Sequence, residues 1–397
     1  MTASDSMAAG TLGSAPSPAL DASGASSFQP PATPAASKPV LTLDLGALAA
    51  NWRALDALSG KAEAAAVVKA DAYGLGVAPA AKALAAAGAK TFFVAHATEG
   101  AELREALGPG VPIHVFNGFM PDDLDAFRGA DLIPVLNSPF QIEAFRAALP
   151  QLSPSAAPKV GLHIESGINR LGFTPAEIDA LRADPPRDLD VSLVMSHLAC
   201  ADEPEHSMNA RQRGAFTGRA QLLHGLAPNA RLSLGATGGV LLGPEFHFDL
   251  TRPGVGLYGG EPFMDARTVV HLHAPLLQVR EIAAGETVGY GGTWTARRPS
   301  RIGVLGLGYA DGFFRLSKGL NLYVDGRAVP LIGRVSMDMI TVDLTDLPEP
   351  APGAMVEVLG PNQSVDALAK GIGTTGYEVL TSLGPRYARR YVGGAEA

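Results

Sequence analysis

The chain has 397 residues, enough for two domains with their own cores, and 47% are hydrophobic against 18% charged, the balance of a compact globular protein. Its net charge of −8 argues against nucleic acid or an anionic membrane as partner, and it holds no run of about 18 apolar residues that would span a bilayer. A single cysteine, Cys200, excludes an intrachain disulfide and fits a reducing, cytoplasmic setting.

In chain order, residues 1–38 are dominated by Ala, Ser, Pro, Gly and Thr, with few charges and almost no periodicity. They lack the basic start and continuous apolar segment of a secretory signal and read as a disordered leader. Val40–Asp44 is a strand-like lead-in. From residue 64, short apolar runs alternate with helical patterns. The runs are Ala64–Val68, Phe92–Ala95, Pro112–Phe116, Leu132–Leu136, Lys159–Ile164, Val191–Ser196, Arg231–Gly235 and Phe248–Thr251. Between them Ala78–Ala87, Glu99–Leu107, Pro121–Phe127, Gln141–Leu149 and Arg211–Leu223 carry apolar residues at three- and four-residue spacing. Eight strands separated by helices predict a closed (β/α)8 barrel over 39–268. After Gly260 the texture turns to strands: Val269–Ile282, Arg301–Leu307, Leu322–Val324, Arg327–Ile332, Val335–Leu344 and Met355–Leu359. Asp325-Gly326 marks a hairpin turn. A β-rich C-terminal domain over 269–397 follows, with Val40–Asp44 expected to pair with it.

The string Ala66-Val67-Val68-Lys69-Ala70-Asp71-Ala72-Tyr73-Gly74-Leu75-Gly76 ends an apolar run on a lysine and a turn of small residues. Lys69 thus sits at the carboxyl end of a buried strand. Desolvation there lowers an amine's pKa and frees it to form a Schiff base; the plain alternative is a lysine snorkelling outward. Barrel strand ends gather into one site. Arg170 follows the fifth strand, within His163-Ile164-Glu165-Ser166-Gly167-Ile168-Asn169-Arg170, and His197 ends the sixth. Ala236-Thr237-Gly238-Gly239 follows the seventh, and Arg252-Pro253-Gly254-Val255-Gly256 the eighth. Taken singly, the arginines read as ion-pair partners and His197 as a hydrogen-bonded core histidine. Their common placement argues for a site.

The Lys69 string resembles the cofactor-lysine motif of the alanine racemases, and the resemblance runs from Val40 to Tyr391. It implies pyridoxal 5'-phosphate held covalently by Lys69, with Tyr73, Thr237 and the backbone near Gly254 and Val255 around the phosphate. The loops after the last two strands are the usual phosphate site of such barrels. It places His197 against the pyridine ring, Arg170 beside cofactor and substrate, and Arg252 at the ring nitrogen. An arginine holds its proton, so the ring stays largely uncharged and transamination is disfavoured. Racemisation needs a proton taken from one face of Cα and returned to the other. Val288-Gly289-Tyr290-Gly291-Gly292-Thr293-Trp294 resembles the segment that supplies the second base to the partner subunit, which implies a homodimer with shared sites. Lys69 would act on D-alanine and Tyr290 on L-alanine. A tyrosine titrates near pH 10, so cationic neighbours, His197 and Arg252 in turn, would have to lower it. Arg334-Val335-Ser336-Met337-Asp338 resembles the substrate-carboxylate segment, with the backbone at Met337 as the binding group. Gly308-Tyr309-Ala310-Asp311-Gly312 resembles the access path, which Tyr309 narrows, with Asp338 close by.

Some positions depart from the family pattern. Leu75 stands where His is frequent, His163 where a lysine, often carbamylated, supports the arginine, Ala236 for asparagine and Trp294 for tyrosine. Leu383-Gly384-Pro385-Arg386 lacks a tyrosine that faces the phosphate in several members. His163 leaves Glu165, water or an anion to support Arg170. Metal sites are not expected: His271-Leu272-His273 has no third ligand at suitable spacing, and Asp202–His206 reads as a solvated loop. Cys200 reads as an inert buried thiol. Gly306-x-Gly308 lacks the strand–helix setting of a dinucleotide loop. Three rivals stand beside the racemase reading. A broad-specificity amino-acid racemase shares the fold and bases. A decarboxylase of the same cofactor fold would lack the Tyr290 segment. A non-catalytic cofactor-binding protein would resemble the barrel alone.

Overall fold

The computed structural model describes residues 38–152, 158–317 and 319–394. The leader expected over 1–38 lies outside them except for Lys38. Strand β1 (Val40–Asp44) runs into the helix Leu45–Ser59, whose first turn is capped by the Asp44 carboxylate accepting from Ala47 N–H at 2.8 Å. Leu45, Leu48, Trp52 and Leu55 form its buried face, and Gly60, at φ 66°, ends it.

Parallel strands follow: β2 (Glu63–Ala64), β3 (Ala66–Val67), β4 (Phe92–Val94), β5 (Ile113–Val115), β6 (Ile133–Leu136), β7 (Lys159–His163), β8 (Asp190–Met195), β9 (Arg231–Ser233) and β10 (Leu250–Thr251). β3 to β9 are hydrogen-bonded in sequence order. β2 and β3 are one strand interrupted at Ala65, whose N–H donates to Thr251 O at 2.9 Å. β10 pairs with β2, while Asp249 N–H donates to Leu232 O and Arg252 N–H to Gly235 O, so the sheet closes as an eight-stranded barrel. Its strands are almost continuously apolar because one face meets the barrel interior and the other the surrounding helices. Phe92, Phe93, Val94, Val135, Val160 and Leu162 are fully buried.

The C-terminal region contains β11 (Val270–Ile282), β12 (Thr287–Val288), β13 (Trp294–Thr295), β14 (Ser300–Leu305), β15 (Asn321–Val324), β16 (Arg327–Ile332), β17 (Ile340–Asp343), β18 (Met355–Leu359) and β19 (Ala388–Val392). Their order is β14-β17-β16-β15-β18-β11, and β14 also pairs with β11, so this sheet is a closed ring as well. β1 is antiparallel to β11, with Val40 opposite His273, and parallel to β19. The hairpin β15–β16 turns at Asp325 and Gly326, both at positive φ, as a two-residue turn requires. One expectation is corrected. Val335–Leu344 is not a single strand; only Ile340–Asp343 is. Ser336 N–H and Oγ both bond to Met339 O, folding the segment into a loop that exposes Met337. Two helices also break the strand texture, Val365–Ile372 and Gly376–Thr381, and the second packs on the turn after Lys69. No helix among the described residues is long and apolar enough to cross a membrane.

Candidate active site

Lys69 follows β3, and the four residues after it (Ala70, Asp71, Ala72 and Tyr73) all lie in the left-handed region, at φ 53–58°. Such a conformation costs about 1–2 kcal/mol per non-glycine residue, so the surroundings must hold it. Asp71 Oδ1 accepts from Val77 N–H at 2.7 Å. Glu99 reaches across from its helix. Its Oε1 accepts from Ala70 N–H and its Oε2 from Ala95 N–H, each at 2.8 Å. The lysine amine is thereby fixed at the cavity wall, 5.9 Å from the Phe116 ring centroid. Burial lowers its pKa first and the charge of Arg170 adds to that, while Glu99 pulls the other way. The shift brings the neutral, nucleophilic form of the amine within easier reach than in a free lysine.

The cavity in front of Lys69 has a volume of about 470 Å³ and is also lined by Tyr73, His197, Thr237, Arg252, Gly254 and Val255. One end suits an anion. Tyr73 is buried, which pushes its hydroxyl above the usual phenol range and keeps it an O–H donor. Thr237 opens the short helix Thr237–Leu242, and its Oγ1 accepts from Gly254 N–H at 3.0 Å and Gly256 N–H at 3.3 Å, leaving its own proton to donate. The Gly254 amide is therefore engaged with Thr237, and Val255 begins the turn Val255–Tyr258, whose first amide has no partner within the turn. A Cβ on Gly254 would collide with Tyr73 Oη, so only glycine lets backbone and phenol converge. Tyr377 lines the same wall, its ring centroid 6.2 Å from that of Tyr73. No motif near Lys69 in the sequence points to Tyr377. Tyr377 belongs to the helix Gly376–Thr381, which packs on the turn after Lys69. Asp202, Glu261 and Asp366 also line the cavity, and Glu261 is paired with Lys370.

Arg252 is only 2% exposed. Its guanidinium donates to Ser233 Oγ, to Ser196 O at 2.6 Å and to Leu234 O at 3.3 Å. Burial pulls its pKa down to about 9, still above neutrality, so it carries its charge at pH 7. That charge has consequences nearby. Burial and then Arg252 and Arg170 lower His197 and bring His163 to about 4; burial also brings His114, on β5, to about 3. His197 is therefore neutral, and the expectation that it serves as a cationic neighbour lowering a tyrosine is corrected. Stability should follow. An unfolded histidine binds a proton near pH 6.5, below which the unfolded chain holds protons that native His114 and His163 refuse. Stability is thus full above about pH 6.5 and falls with acid, by roughly 2 kcal/mol per buried histidine on reaching about pH 5. Urea midpoints of the apoprotein across that window check this; a flat profile would mean these imidazoles protonate in the folded state.

Arg170 is exposed in the loop after β7, and among the described residues no acidic side chain pairs with it. Glu165 is not free to support it. Its carboxylate accepts from the backbone of Gly167 and Asn169 and faces Arg219 at 3.5 Å. Tyr290, Tyr309, Met337 and Asp338 do not line the cavity. They lie in the C-terminal region, where Tyr309 N–H donates to Ser336 O at 3.0 Å and Ala310 N–H to Met337 O at 2.9 Å, joining the two loops. Asp338 is paired with Arg386 at 2.8 Å. Tyr290, in the turn between β12 and β13, is 67% exposed.

The family comparisons match this architecture. Residues 43–262 match the model for the alanine racemase N-terminal domain and residues 269–391 that for its C-terminal domain. The chain belongs to the alanine racemase family. An alanine racemase of Cereibacter sphaeroides is 51% identical over 353 residues, covering 88% of this chain and 97% of that protein. The alanine racemase of Bartonella henselae, solved with covalently bound pyridoxal phosphate, superposes with a TM-score of 0.84 at 36% identity, over 90% of this chain and all of that one. The biosynthetic alanine racemase of Pseudomonas aeruginosa gives 0.81 at 39%, over 89% and 99%. The departures from the family pattern sit in ordered surroundings. Leu75 is fully buried, its carbonyl accepting from Tyr391 Oη at 3.1 Å. Ala236 precedes the Thr237 helix, and Trp294 pairs with Val288 across the β12–β13 hairpin.

Proposed function

We propose that the chain is a pyridoxal-phosphate-dependent alanine racemase that acts as a homodimer in the cytoplasm and supplies D-alanine for peptidoglycan or for alanine breakdown. The observation that carries this reading is a partly desolvated lysine amine facing an anion cradle in one cavity. Bound covalently, pyridoxal phosphate makes the Cα–H of an amino acid acidic by drawing off electron density. The protein residues do the rest. Lys69 holds the cofactor, and its Nζ moves the proton on one face of Cα, taking it from D-alanine. Tyr73, Thr237 and the Val255 amide donate to the phosphate, with Tyr377 beside them. Charged Arg252 faces the ring nitrogen without surrendering a proton, and neutral His197 packs against the ring. Arg170 and the Met337 backbone bind the substrate carboxylate, and Tyr309 and Asp338 line the way in. Tyr290 of a second copy moves the proton on the opposite face. The dimer reading draws support from the exposure of Tyr290, Tyr309, Met337, Met339 and Leu277 in the C-terminal region, apolar side chains that a second copy could cover.

Incubation with L-alanine and pyridoxal phosphate in heavy water tests this. D-alanine carrying deuterium at Cα is the expected product. Deuterium entering with the L configuration retained would leave a single working base, equal exchange of alanine and larger amino acids would favour broad specificity, and no exchange with alanine would overturn the alanine reading.

A further inference from the structure

Two loops of the C-terminal region meet through their main chains. Tyr309 N–H donates to Ser336 O at 3.0 Å and Ala310 N–H to Met337 O at 2.9 Å. A trans peptide is planar, with its N–H opposite its C=O, so the amides of Met337 and Asp338 point away from the 308–312 loop. Neither amide donates a hydrogen bond among the described residues, which leaves both open to an anion. The two loops approach closely: a Cβ on Gly308 would overlap the carbonyls of Ser336 and Met337. Asp311 closes the first loop. Its side chain is 2% exposed, and its Oδ2 accepts from Gly308 N–H at 2.8 Å.

Among the described residues, the ion-pair partner of this buried carboxylate is Arg386. Its Nε lies 3.1 Å from Asp311 Oδ1, and its Nη1 donates to Asp338 Oδ1 at 2.8 Å. The segment that carries Arg386 is fixed on the same aspartate: Gly384 N–H donates to Asp311 O at 3.2 Å, and Tyr387 Oη donates to it as well. Arg386 thus reaches from the buried end of one loop to the residue after Met337 in the other. We propose that Arg386 is a positioning residue for substrate binding: by bridging Asp311 and Asp338 it pins the tip Met337-Asp338 to the 308–312 loop, so that the Met337 amide meets the substrate carboxylate in one orientation. A planar guanidinium offers two nitrogens in fixed geometry for such a bridge. This rests on the role given to the Met337 backbone in the racemase reading.

Steady-state kinetics of the holoenzyme with alanine test this. Arg386→Gln should raise KM by about tenfold with kcat moving less, as when one hydrogen bond to a charged group is weakened. Asp338→Ala cuts only the outer end of the bridge, an exposed pair, so it should raise KM by a similar factor while the urea midpoint stays nearly in place. The double variant should be no worse than Arg386→Gln alone, because both substitutions break one bridge. A KM unmoved in either single variant, or effects that multiply to about a hundredfold in the double, would overturn the proposal. A double variant restored to the original KM would overturn it too, since Arg386 would then only mask the Asp338 charge. An unaltered enzyme inactive on alanine would overturn the racemase reading and this proposal with it, whereas an active enzyme that fails the cycle overturns the proposal alone. Arg386→Gln leaves Asp311 buried without its cation. If it does not fold, Arg386→Gln combined with Asp311→Asn removes both charges and takes its place in the cycle.

Discussion

Lys69→Ala should abolish racemisation, lowering kcat by more than about 10⁴-fold, because one substitution removes both the covalent anchor of the cofactor and a proton-transfer group. The yellow absorbance of lysine-linked pyridoxal phosphate should vanish with it. Borohydride treatment of the unaltered enzyme should fix the cofactor on the peptide containing Lys69, and on none in the variant. Misfolding is not the expected cause. Lys69 has its pKa depressed by burial, so at neutral pH the native state binds this proton less readily than the unfolded chain does. The lysine therefore costs the apoprotein stability below its native pKa, a cost that fades as pH rises through both values. Its removal should leave the thermal midpoint of the apoprotein unchanged or higher. Residual activity near that of the unaltered enzyme would remove Lys69 from the centre of the reaction.

The barrel was legible because its strands are buried on both faces and read as unbroken apolar runs; Phe92–Val94 and Ile113–Val115 could hardly be anything else. The helix Leu45–Ser59 was not predicted, although Asp44 and the spacing of Leu45, Leu48, Trp52 and Leu55 signal it. Nor was Pro175–Ala183, which carries a Thr174/Glu177 capping box. Other features lie beyond local reading. Four successive left-handed residues without glycine, Ala70 to Tyr73, exist because Glu99, in a later helix, takes their free amide. Tyr377 reaches the cavity because a C-terminal helix folds back on the barrel, a non-local packing that no spacing near Lys69 encodes. The same holds for Asn137 and His163, 26 residues apart and one hydrogen bond away.

Tyr290→Phe should show the opposite pattern to Lys69→Ala: cofactor kept, fold kept, turnover lost. The hydroxyl stands on a 67% exposed side chain, so its removal should change stability by no more than about 0.5 kcal/mol. Racemisation should nevertheless fall by about 10²–10⁴-fold, the usual contribution of a positioned acid–base group. Isotope exchange then separates the two bases. In heavy water the variant should still wash deuterium into D-alanine through Lys69, with configuration retained, while L-alanine stays inert. Exchange from both enantiomers would mean that Lys69 or water serves both faces. Mixing the two inactive variants asks whether Tyr290 acts across the dimer. In a dimer of one Lys69→Ala and one Tyr290→Phe chain, sites shared between subunits would put both substitutions in one site and neither in the other. Half of randomly reassorted dimers are mixed, so about a quarter of the original activity should return. If each chain instead built its whole site alone, every site would lack one base and the mixture would stay inactive.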